Sequence, residues 1–283
     1  MSISECETEV ESALQKSGTP SLMDVYWLGQ TQTDVPADDT WLSAREKFRL
    51  SGLRFAKRRS DWRLGRWTAK RALAAFLNMP DNPPALADIE IRATPSGAPE
   101  GLLRNQMSPL TISLSHSSNT AMCAVARAST GLGCDLEVIE PRADAFVADY
   151  FTVNEQKLVE RATVEERRLL VTLLWSAKES TLKVLREGLR LDTNCVDVSP
   201  VDVPSPEGQD GRQDPVCVPL LSTGLDAWRP LRIRHAGTQV FGGWWRHAGH
   251  LVRTIVSIPP SYPPIHLEPS PAREHPFSST LSL

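Results

Sequence analysis

Two acidic side chains that could hold a metal ion stand two positions apart in the segment GCDLEV, at Asp135 and Glu137. Apolar residues alternate with them, which predicts a β-strand whose two carboxylates project from the same face. Carboxylates placed in this way repel each other unless a positive charge lies between them. They are therefore either solvated or held by a divalent cation that prefers oxygen ligands, and Mg²⁺ usually takes one or two protein carboxylates together with substrate phosphates.

A third acid and a lysine follow in the segment WSAKESTLK, where Glu179 and Lys183 are four positions apart and Trp175 lies four positions before Glu179. Leucines at helical spacing predict that this segment is a helix, which puts the three side chains on one stripe. An ion pair on a solvated surface accounts for the two charges. Alternatively, Glu179 supplies a third oxygen to the metal, and Lys183 meets a phosphate group beside it.

A strongly basic stretch lies upstream, because residues 45–71 contain eleven lysines and arginines against two acids. The ordinary interpretation of such a run is a solvated helix face. Single-stranded nucleic acid is another possible ligand, with Trp62 and Trp67 as platforms on which bases stack.

The predicted elements mix helices and strands without a regular βαβα alternation, which favours an α+β fold over a doubly wound sheet. The predicted strands cover residues 88–93, 110–115, 132–139, 231–236, 239–246 and 250–257. The predicted helices are a long basic region at 41–78 and two further helices at 154–162 and 165–187.

These elements fall into an N-terminal half at 21–128 and a C-terminal half at 129–258. Two apolar strands meet at residues 129–131, which form either a hairpin turn within one sheet or the bridge between the halves. Three other segments have compositions typical of exposed or disordered chain. They are the N-terminus at 1–20, a loop at 200–219 and a tail at 259–283 that holds seven prolines in 25 residues.

The bulk composition is that of a soluble globular protein, with 283 residues, 41% hydrophobic and 23% charged residues, and a formal net charge of −3. No apolar run approaches the roughly 20 residues of a membrane span, and the acidic N-terminus is not a secretory signal, so we expect no membrane partner. The five cysteines form no C-x-x-C pair and indicate a reduced, cytoplasmic setting. They are Cys6, Cys123, Cys134, Cys195 and Cys217.

The acidic segments, taken in order, resemble the paired signature of the 4′-phosphopantetheinyl transferases, G-x-D-x-E followed by W-x-x-K-E-x-x-x-K. The matching residues are Gly133, Asp135, Glu137, Trp175, Lys178, Glu179 and Lys183. Between them, FTVNEQKLV is similar to a family segment with Phe151 and Glu155, and ISLSHSSNTAMCAVA and GLRLD resemble two more. The likeness extends from about Leu50 to Val198, and the length of the chain points to the larger, monomeric type.

The resemblance implies two similar α+β halves packed as a pseudo-dimer, with the active site between them. It also implies transfer of phosphopantetheine from coenzyme A to a serine of an apo acyl or peptidyl carrier protein, with release of adenosine 3′,5′-bisphosphate. Asp135, Glu137 and Glu179 are then the Mg²⁺ ligands. Glu179 and Lys183 are the catalytic candidates, Glu179 as a general base and Lys183 as a contact to the phosphates.

The same resemblance assigns the basic stretch to coenzyme A and not to nucleic acid, because guanidinium groups suit its several phosphates. Arg58 and Arg66 are the first candidates, with Lys57 and Lys70 behind them, whereas the neighbouring Arg59, Arg63 and Arg71 are expected to be solvated. Ser115 and His116, at the end of a predicted strand, are placed against the coenzyme A phosphates. Without the resemblance, a single histidine at such a position is more often structural.

The sequence departs from the family in the turn before the S-H-S segment, which often carries a lysine. The corresponding stretch here is PSGAPEG, in which Ser96 and Ala98 stand where that lysine is expected, so one cation is missing.

Two rival functions follow from the same residues. A metal-dependent nuclease also uses acids and a lysine, but its second acid and lysine usually lie two apart on a strand. The other rival is a module that binds carrier proteins without catalysis, against which the presence of all three carboxylates argues.

Overall fold

The structure is a computed structural model that describes residues 22–201, 227–235 and 239–269. The predicted N-terminal disordered segment, most of the predicted loop at 200–219 and the last part of the predicted tail lie outside the described residues. The α+β class is confirmed, since helices and strands alternate irregularly along the described chain.

The N-terminal half begins its first helix at a capping box. Ser43 accepts a hydrogen bond from the backbone N–H of Glu46, and Glu46 accepts one from the backbone N–H of Ser43. The predicted helical region at 41–78 is two helices, because the backbone leaves the helix at 52–55. The helices of this half are α1 (Ala44–Ser51), α2 (Ala56–Phe76) and α3 (Pro83–Ala87).

Six strands belong to the same half. They are β1 (Tyr26–Thr31), β2 (Ile89–Ala93), β3 (Pro99–Leu103), β4 (Gln106–Met107), β5 (Leu110–Ser117) and β6 (Thr120–Arg127).

The C-terminal half repeats the mixture of strands and helices. Its strands are β7 (Gly131–Val138), β8 (Val196–Pro200), β9 (Arg229–His235), β10 (Gln239–Ala248) and β11 (Leu251–Ile258), and a short strand β12 (Ile265–His266) follows this half in the chain. Its helices are α4 (Asp144–Tyr150), α5 (Val153–Arg161) and α6 (Val164–Leu185). Thr152 and Thr163 form capping boxes at the starts of α5 and α6. The two helices therefore begin one residue before the predicted ranges 154–162 and 165–187.

The strands form three sheets, in the orders β12-β1-β6-β5, β2-β3-β4 and β7-β11-β10-β9-β8. Because β6 and β7 belong to different sheets, residues 129–131 are the bridge between the halves and not a hairpin turn within one sheet. Helix α2 covers one face of the sheet that contains β1 and β6, and α6 covers β7 and β11.

A third apolar layer joins the two halves. Alternate residues of β6 point away from α2 toward the other sheet, among them Met122 and Ala124. They pack with Trp27 of β1 and with Leu132 and Cys134 of β7. The order of layers is therefore helix, sheet, sheet and helix, and the edge strands β5 and β7 lie beside each other at the junction.

The segment after Pro259 corrects one prediction. Residues 259–269 cross back to the N-terminal half, where β12 pairs in parallel with β1 and Leu267 is buried in the core beneath α2. Of the two predicted alternatives, an extended or a disordered tail, residues 259–269 therefore take the extended one, but they pack on the N-terminal half and are not a free tail. No helix in the described ranges is both long enough and apolar enough to span a bilayer.

Candidate active site

The candidate site lies where strand β7 is covered by helix α6. Gly133 allows the close approach of these two elements, since a Cβ atom built at that position would overlap the backbone carbonyl oxygen of Ser180. A larger residue at 133 would push the helix outward, and Glu179 and Lys183 would move with it. The glycine of the G-x-D-x-E signature therefore sets the distance between the strand and the helix that carry the acids.

Side chains from three elements share one cavity of about 290 Å³, here called the acid cavity. Strand β5 contributes Ser115 and His116 to its wall, and the other predicted site residues come from β7 and α6. Its lining residues are Leu114, Ser115, His116, Ser117, Asp135, Leu136, Glu137, Glu179 and Lys183. The structure therefore brings together the three predicted metal ligands, the predicted catalytic lysine and two of the predicted coenzyme A contacts, while their roles stay predictions.

Asp135 is the most buried acid of the cavity, with 3% of its surface exposed. Its Oδ1 accepts hydrogen bonds from Ser115 Oγ at 2.9 Å and from Lys183 Nζ at 2.8 Å. Its Oδ2 is buried and has no hydrogen-bond partner among the described residues. A buried carboxylate oxygen without a partner is costly, so this atom is suited to a ligand that brings positive charge.

Lys183 remains a cation in this environment. Burial acts to lower the pKa of its ammonium group, but the nearby charges, of which Asp135 is the strongest, outweigh burial and raise that pKa above its ordinary value. The carbonyl of Cys134 accepts a second hydrogen bond from the same Nζ at 2.9 Å. A fixed positive charge therefore stands on the wall of the cavity.

The other two carboxylates are harder to ionise than usual. Burial and the charge of Asp135 raise the pKa of Glu137 to about 7, and the same two causes raise the pKa of Glu179. Arg142 opposes this rise, and its guanidinium lies 3.3 Å from Glu137 Oε2. The sequence analysis did not single out Arg142, since a lone arginine five positions after an acid carries no signal.

The residues present fit a magnesium ion by their chemistry. Three carboxylates supply hard oxygen donors, and the partnerless Oδ2 of Asp135 faces no competing donor in the described chain. However, no three His, Cys, Asp or Glu side chains in the described ranges are grouped as a ready-made metal site. The physical reason is that Lys183 and Ser115 hold Asp135 Oδ1, while Arg142 draws Glu137 toward itself. The three acids were expected to converge on one point. In the structure they line one cavity but are not grouped as a metal site.

The basic helix α2 does not place all its cations as predicted. Lys70 is fully buried, ion-pairs with Glu46 at 2.5 Å and donates hydrogen bonds to the carbonyls of Trp41 and Leu86. The prediction that Lys70 binds coenzyme A is therefore wrong, because its ammonium group is enclosed within the core of the N-terminal half.

Two arginines expected to be solvated are also structural. Arg63 donates hydrogen bonds to the carbonyls of residues 36–38, and Arg71 is held by Asp81 and Gln30. These contacts tie α2 to the loops around it.

The remaining candidates of α2 stay predictions. Arg58 is exposed, and Lys57 is exposed with an ion pair to Asp61 at 2.9 Å. Arg66 is half-buried with its guanidinium 4.8 Å from the Trp62 ring, and burial lowers its pKa. None of these three basic residues lines the acid cavity.

The Glu46–Lys70 pair has a counterpart in the C-terminal half. Glu155 is completely buried, caps α5 and lies 2.8 Å from the Nζ of Lys178, which also donates to the carbonyls of Thr193 and Val196. In both halves the glutamate accepts a backbone N–H from the following strand, at Ile91 or at Val198. The sequence carries the signal as W-T-A-K at 67–70 and W-S-A-K at 175–178, which the sequence analysis missed. This repeat supports two similar halves, while the pseudo-dimer arrangement stays a prediction.

A second, larger cavity of about 440 Å³ adjoins the acid cavity, because Leu114 and Lys183 line both. The turn at 94–100, which includes Ser96 and Ala98, forms one of its walls, and the C-terminal end of α6 with Arg186 forms another. We call it the large cavity.

A model of the 4′-phosphopantetheinyl transferase superfamily matches residues 131–229. The chain is also similar to the 4′-phosphopantetheinyl transferase HetI of Nostoc sp. (strain PCC 7120 / SAG 25.82 / UTEX 2576), with 27% identity over 168 residues, which cover 57% of this chain and 67% of that protein.

Two solved structures show a weak likeness. The holo-(acyl-carrier-protein) synthase from Bacillus anthracis str. Ames in complex with CoA (3′,5′-ADP) has a TM-score of 0.32 and 19% identity, covering 38% of this chain and 96% of that one. The holo-[acyl-carrier-protein] synthase of Helicobacter pylori in complex with coenzyme A has a TM-score of 0.30 and 18% identity, covering 36% of this chain and 98% of that one. Scores of this size carry no argument.

The sequence matches and the cavity point to the same residues. The region that matches the superfamily model contains β7 and α6, and thus all three acids of the cavity together with Lys183. Residues 131–229 of the chain, which carry the acids of the cavity and Lys183, are therefore identified by sequence with the 4′-phosphopantetheinyl transferase superfamily.

Proposed function

We propose that this chain transfers the 4′-phosphopantetheine group of coenzyme A to a serine hydroxyl of an apo acyl or peptidyl carrier protein. We propose further that the reaction depends on Mg²⁺ and releases adenosine 3′,5′-bisphosphate. The match of residues 131–229 to the superfamily model supports the class of reaction. The observation that carries the proposal is the acid cavity, in which three carboxylates, a hydroxyl, an imidazole and an ammonium group line one space.

In the proposed reaction, the serine Oγ of the carrier forms a bond to the β-phosphorus of coenzyme A. The bond from that phosphorus to the oxygen bridging the two phosphates breaks, and its electron pair stays on the departing adenosine 3′,5′-bisphosphate. The serine proton passes to a carboxylate of the acid cavity, which we assign to Glu179.

The other side chains of the cavity bind and orient the phosphates. Lys183 presents an ammonium group that Asp135 already holds in place, so little ordering is needed when the pyrophosphate arrives. Ser115 and His116 contribute to the lining from β5. Asp135, Glu137 and Glu179 would hold Mg²⁺, which when bound supplies neutralisation of the charge that builds on the leaving phosphate.

Basic residues of α2 assist the binding of coenzyme A in our proposal, although they line neither the acid cavity nor the large cavity. Arg58 and Lys57 are exposed and Arg66 is half-buried, so all three retain surface that phosphate oxygens could reach. We also propose that the protein acts in the cytoplasm as a monomer, since one chain already supplies two halves with an active site at their junction.

The test is a mass measurement on the carrier. Purified protein is incubated with coenzyme A, Mg²⁺ and a panel of apo acyl and peptidyl carrier proteins, and the carriers are weighed by mass spectrometry. We expect a gain of one phosphopantetheine group on the acceptor serine, and loss of the gain when a chelator removes the metal. The variant Glu179→Gln should lose nearly all of the activity while its circular dichroism and melting temperature stay unchanged, since this side chain is not part of the core.

The rival functions predict different results in the same experiment. Cleavage of added DNA under these conditions would support a nuclease, although Glu179 and Lys183 lie on helix α6 and not two apart on a strand. Binding of carriers without any gain of mass would support an inactive binding module. Normal turnover by the Glu179→Gln variant would remove that residue from the site.

A further inference from the structure

We infer that Arg186 binds a terminal phosphate monoester of the nucleotide substrate in the large cavity. The inference rests on the proposed function, which makes coenzyme A the ligand, and adds the residue that would recognise its 3′-phosphate. It concerns a position that no part of the acidic signature includes.

The large cavity has the size and chemistry for a nucleotide end. Its volume of about 440 Å³ is within the range that holds a small-molecule ligand. Apolar side chains from β5, β7 and α6 form part of its lining, including Ile112, Leu132 and Leu182, and suit the faces of a flat base. It continues from the acid cavity past Leu114 and Lys183, so a ligand whose pyrophosphate lies at the acids can extend its nucleotide end into this cavity.

The charges of the lining leave one cation for a phosphate. The turn at 94–100 contributes Glu100 and no lysine or arginine. Lys183 donates to Asp135 and to the carbonyl of Cys134, and the proposed function assigns its remaining donor to the pyrophosphate at the acids. Arg186 is exposed and makes no ion pair with any residue that the structure describes. Its guanidinium can therefore offer a fork of donors to phosphate oxygens.

The backbone at Arg186 has a conformation that is unusual for a residue with a side chain. The residue ends α6 in the left-handed conformation, with φ 60° and ψ 20°. Glycine is preferred at this position of a helix because a Cβ atom is strained there. Arg186 keeps this conformation although glycine would be less strained, and the structure places it on the wall of the large cavity.

The positive charge of Arg186 also offsets the partial negative charge at the C-terminal end of α6. The carbonyl end of a helix carries a partial negative charge, which repels a phosphate. A cation at the end of α6 removes this repulsion where the helix lines the cavity. Favourable interaction with the helix end alone would explain a basic residue here, and the experiment below separates the two roles.

The test compares coenzyme A with dephospho-coenzyme A, which lacks only the 3′-phosphate. Binding of both ligands is measured by calorimetry for the wild-type protein and for Arg186→Gly, Arg186→Gln and Arg186→Lys, together with the melting temperature of each. We expect Arg186→Gly and Arg186→Gln to lose about tenfold or more in affinity for coenzyme A and little for dephospho-coenzyme A. Arg186→Lys should keep part of the preference. The melting temperature of Arg186→Gly should stay equal or rise, because the strain is relieved.

A matched control exists at Arg104, which also has a positive φ of 49° but lines neither the acid cavity nor the large cavity. Arg104→Gly should leave the ratio of the two affinities unchanged. Equal losses for both ligands in Arg186→Gly, an unchanged affinity for coenzyme A, or an effect confined to the KM for the carrier protein would overturn the inference. If the wild-type protein binds neither ligand, the proposed function fails instead.

Discussion

Lys183 donates one hydrogen bond to Asp135 Oδ1 at 2.8 Å and another to the carbonyl of Cys134 at 2.9 Å, so a single ammonium group ties α6 to two consecutive residues of β7. Ser115 of β5 donates to the same Oδ1. Three elements therefore meet at one oxygen, while Oδ2 of the same carboxylate is left without a protein partner among the described residues. The two oxygens of Asp135 therefore differ. Oδ1 is held by Ser115 and Lys183, and Oδ2 is the oxygen that we propose as a ligand of a cation.

We predict that Asp135→Asn abolishes metal binding and slows turnover on the order of 100-fold, since it removes the buried charge that both Lys183 and a metal ion require. Calorimetric titration with Mn²⁺ measures the first effect and the carrier mass assay the second. Ser115→Ala is the control, because it removes a donor to Oδ1 and leaves every charge in place; its losses should be smaller in both assays. Unchanged affinity for Mn²⁺ in Asp135→Asn would place the metal elsewhere.

Glu137 should make the stability of the metal-free protein depend on pH. Burial and the charge of Asp135 raise its pKa from 4.5 to about 7, so the folded state binds this proton more tightly than the unfolded state does. The stabilisation is complete below pH 4.5 and is lost as the pH rises through about 7, by up to about 3 kcal/mol.

Urea unfolding in a chelator at several pH values from 4 to 8 measures this dependence. Glu137→Gln should make it less steep over that window, because no proton is exchanged at the substituted side chain while Glu179 still contributes. Added Mn²⁺ should raise the melting temperature more at pH 8 than at pH 5, since the ionised carboxylates are then available. The prediction is wrong if the free energy of unfolding of the wild-type protein increases from pH 5 to 7 relative to that of Glu137→Gln.

Lys178 should contribute to stability and not to chemistry. It is fully buried against Glu155, and removing it leaves a buried charge without its partner. We expect Lys178→Met to lower the free energy of unfolding by about 3–5 kcal/mol. The double variant Glu155→Gln with Lys178→Met should recover part of this loss, because no unpaired charge remains.

Chemical denaturation of the single and double variants provides the measurement. Lys183→Met serves for comparison, since the Lys183 side chain is 30% exposed and its removal should cost less stability but more activity. If Lys178→Met were no less stable than Lys183→Met, the buried pair would not have the structural role that its contacts indicate.

The acids of the site could be predicted from sequence because their relationships are local. Asp135 and Glu137 share a face through the period of two in a strand, and Glu179 and Lys183 share one through the helical repeat. Their meeting in one cavity was one of two alternatives that the residues left open, and the family resemblance favoured it. What brings β7 against α6 is Gly133 facing Ser180, a contact between residues far apart in the chain.

The errors arose where the environment of a residue is set by distant partners. Lys70 looked like its basic neighbours on α2, and only the buried Glu46 and the carbonyls of Trp41 and Leu86 make it structural. The prolines after residue 258 suggested a tail, yet the backbone of residues 265–267 pairs with β1, which composition does not reveal.

Arg58 and Lys70 provide a final comparison on one helix, because the sequence analysis gave both to coenzyme A and the structure exposes one and buries the other. We predict that Arg58→Ala raises the KM for coenzyme A about tenfold with little change in kcat, since it removes a phosphate contact made equally in the ground and transition states. Arg59→Ala is the control, an adjacent exposed arginine that should leave the KM unchanged. Lys70→Met should instead lower the melting temperature, because Glu46 is left buried and unpaired. Steady-state kinetics at a fixed carrier concentration measure the KM for coenzyme A of both arginine variants. If Arg58→Ala and the wild-type protein have equal KM values, the N-terminal turn of α2 is not part of the coenzyme A site.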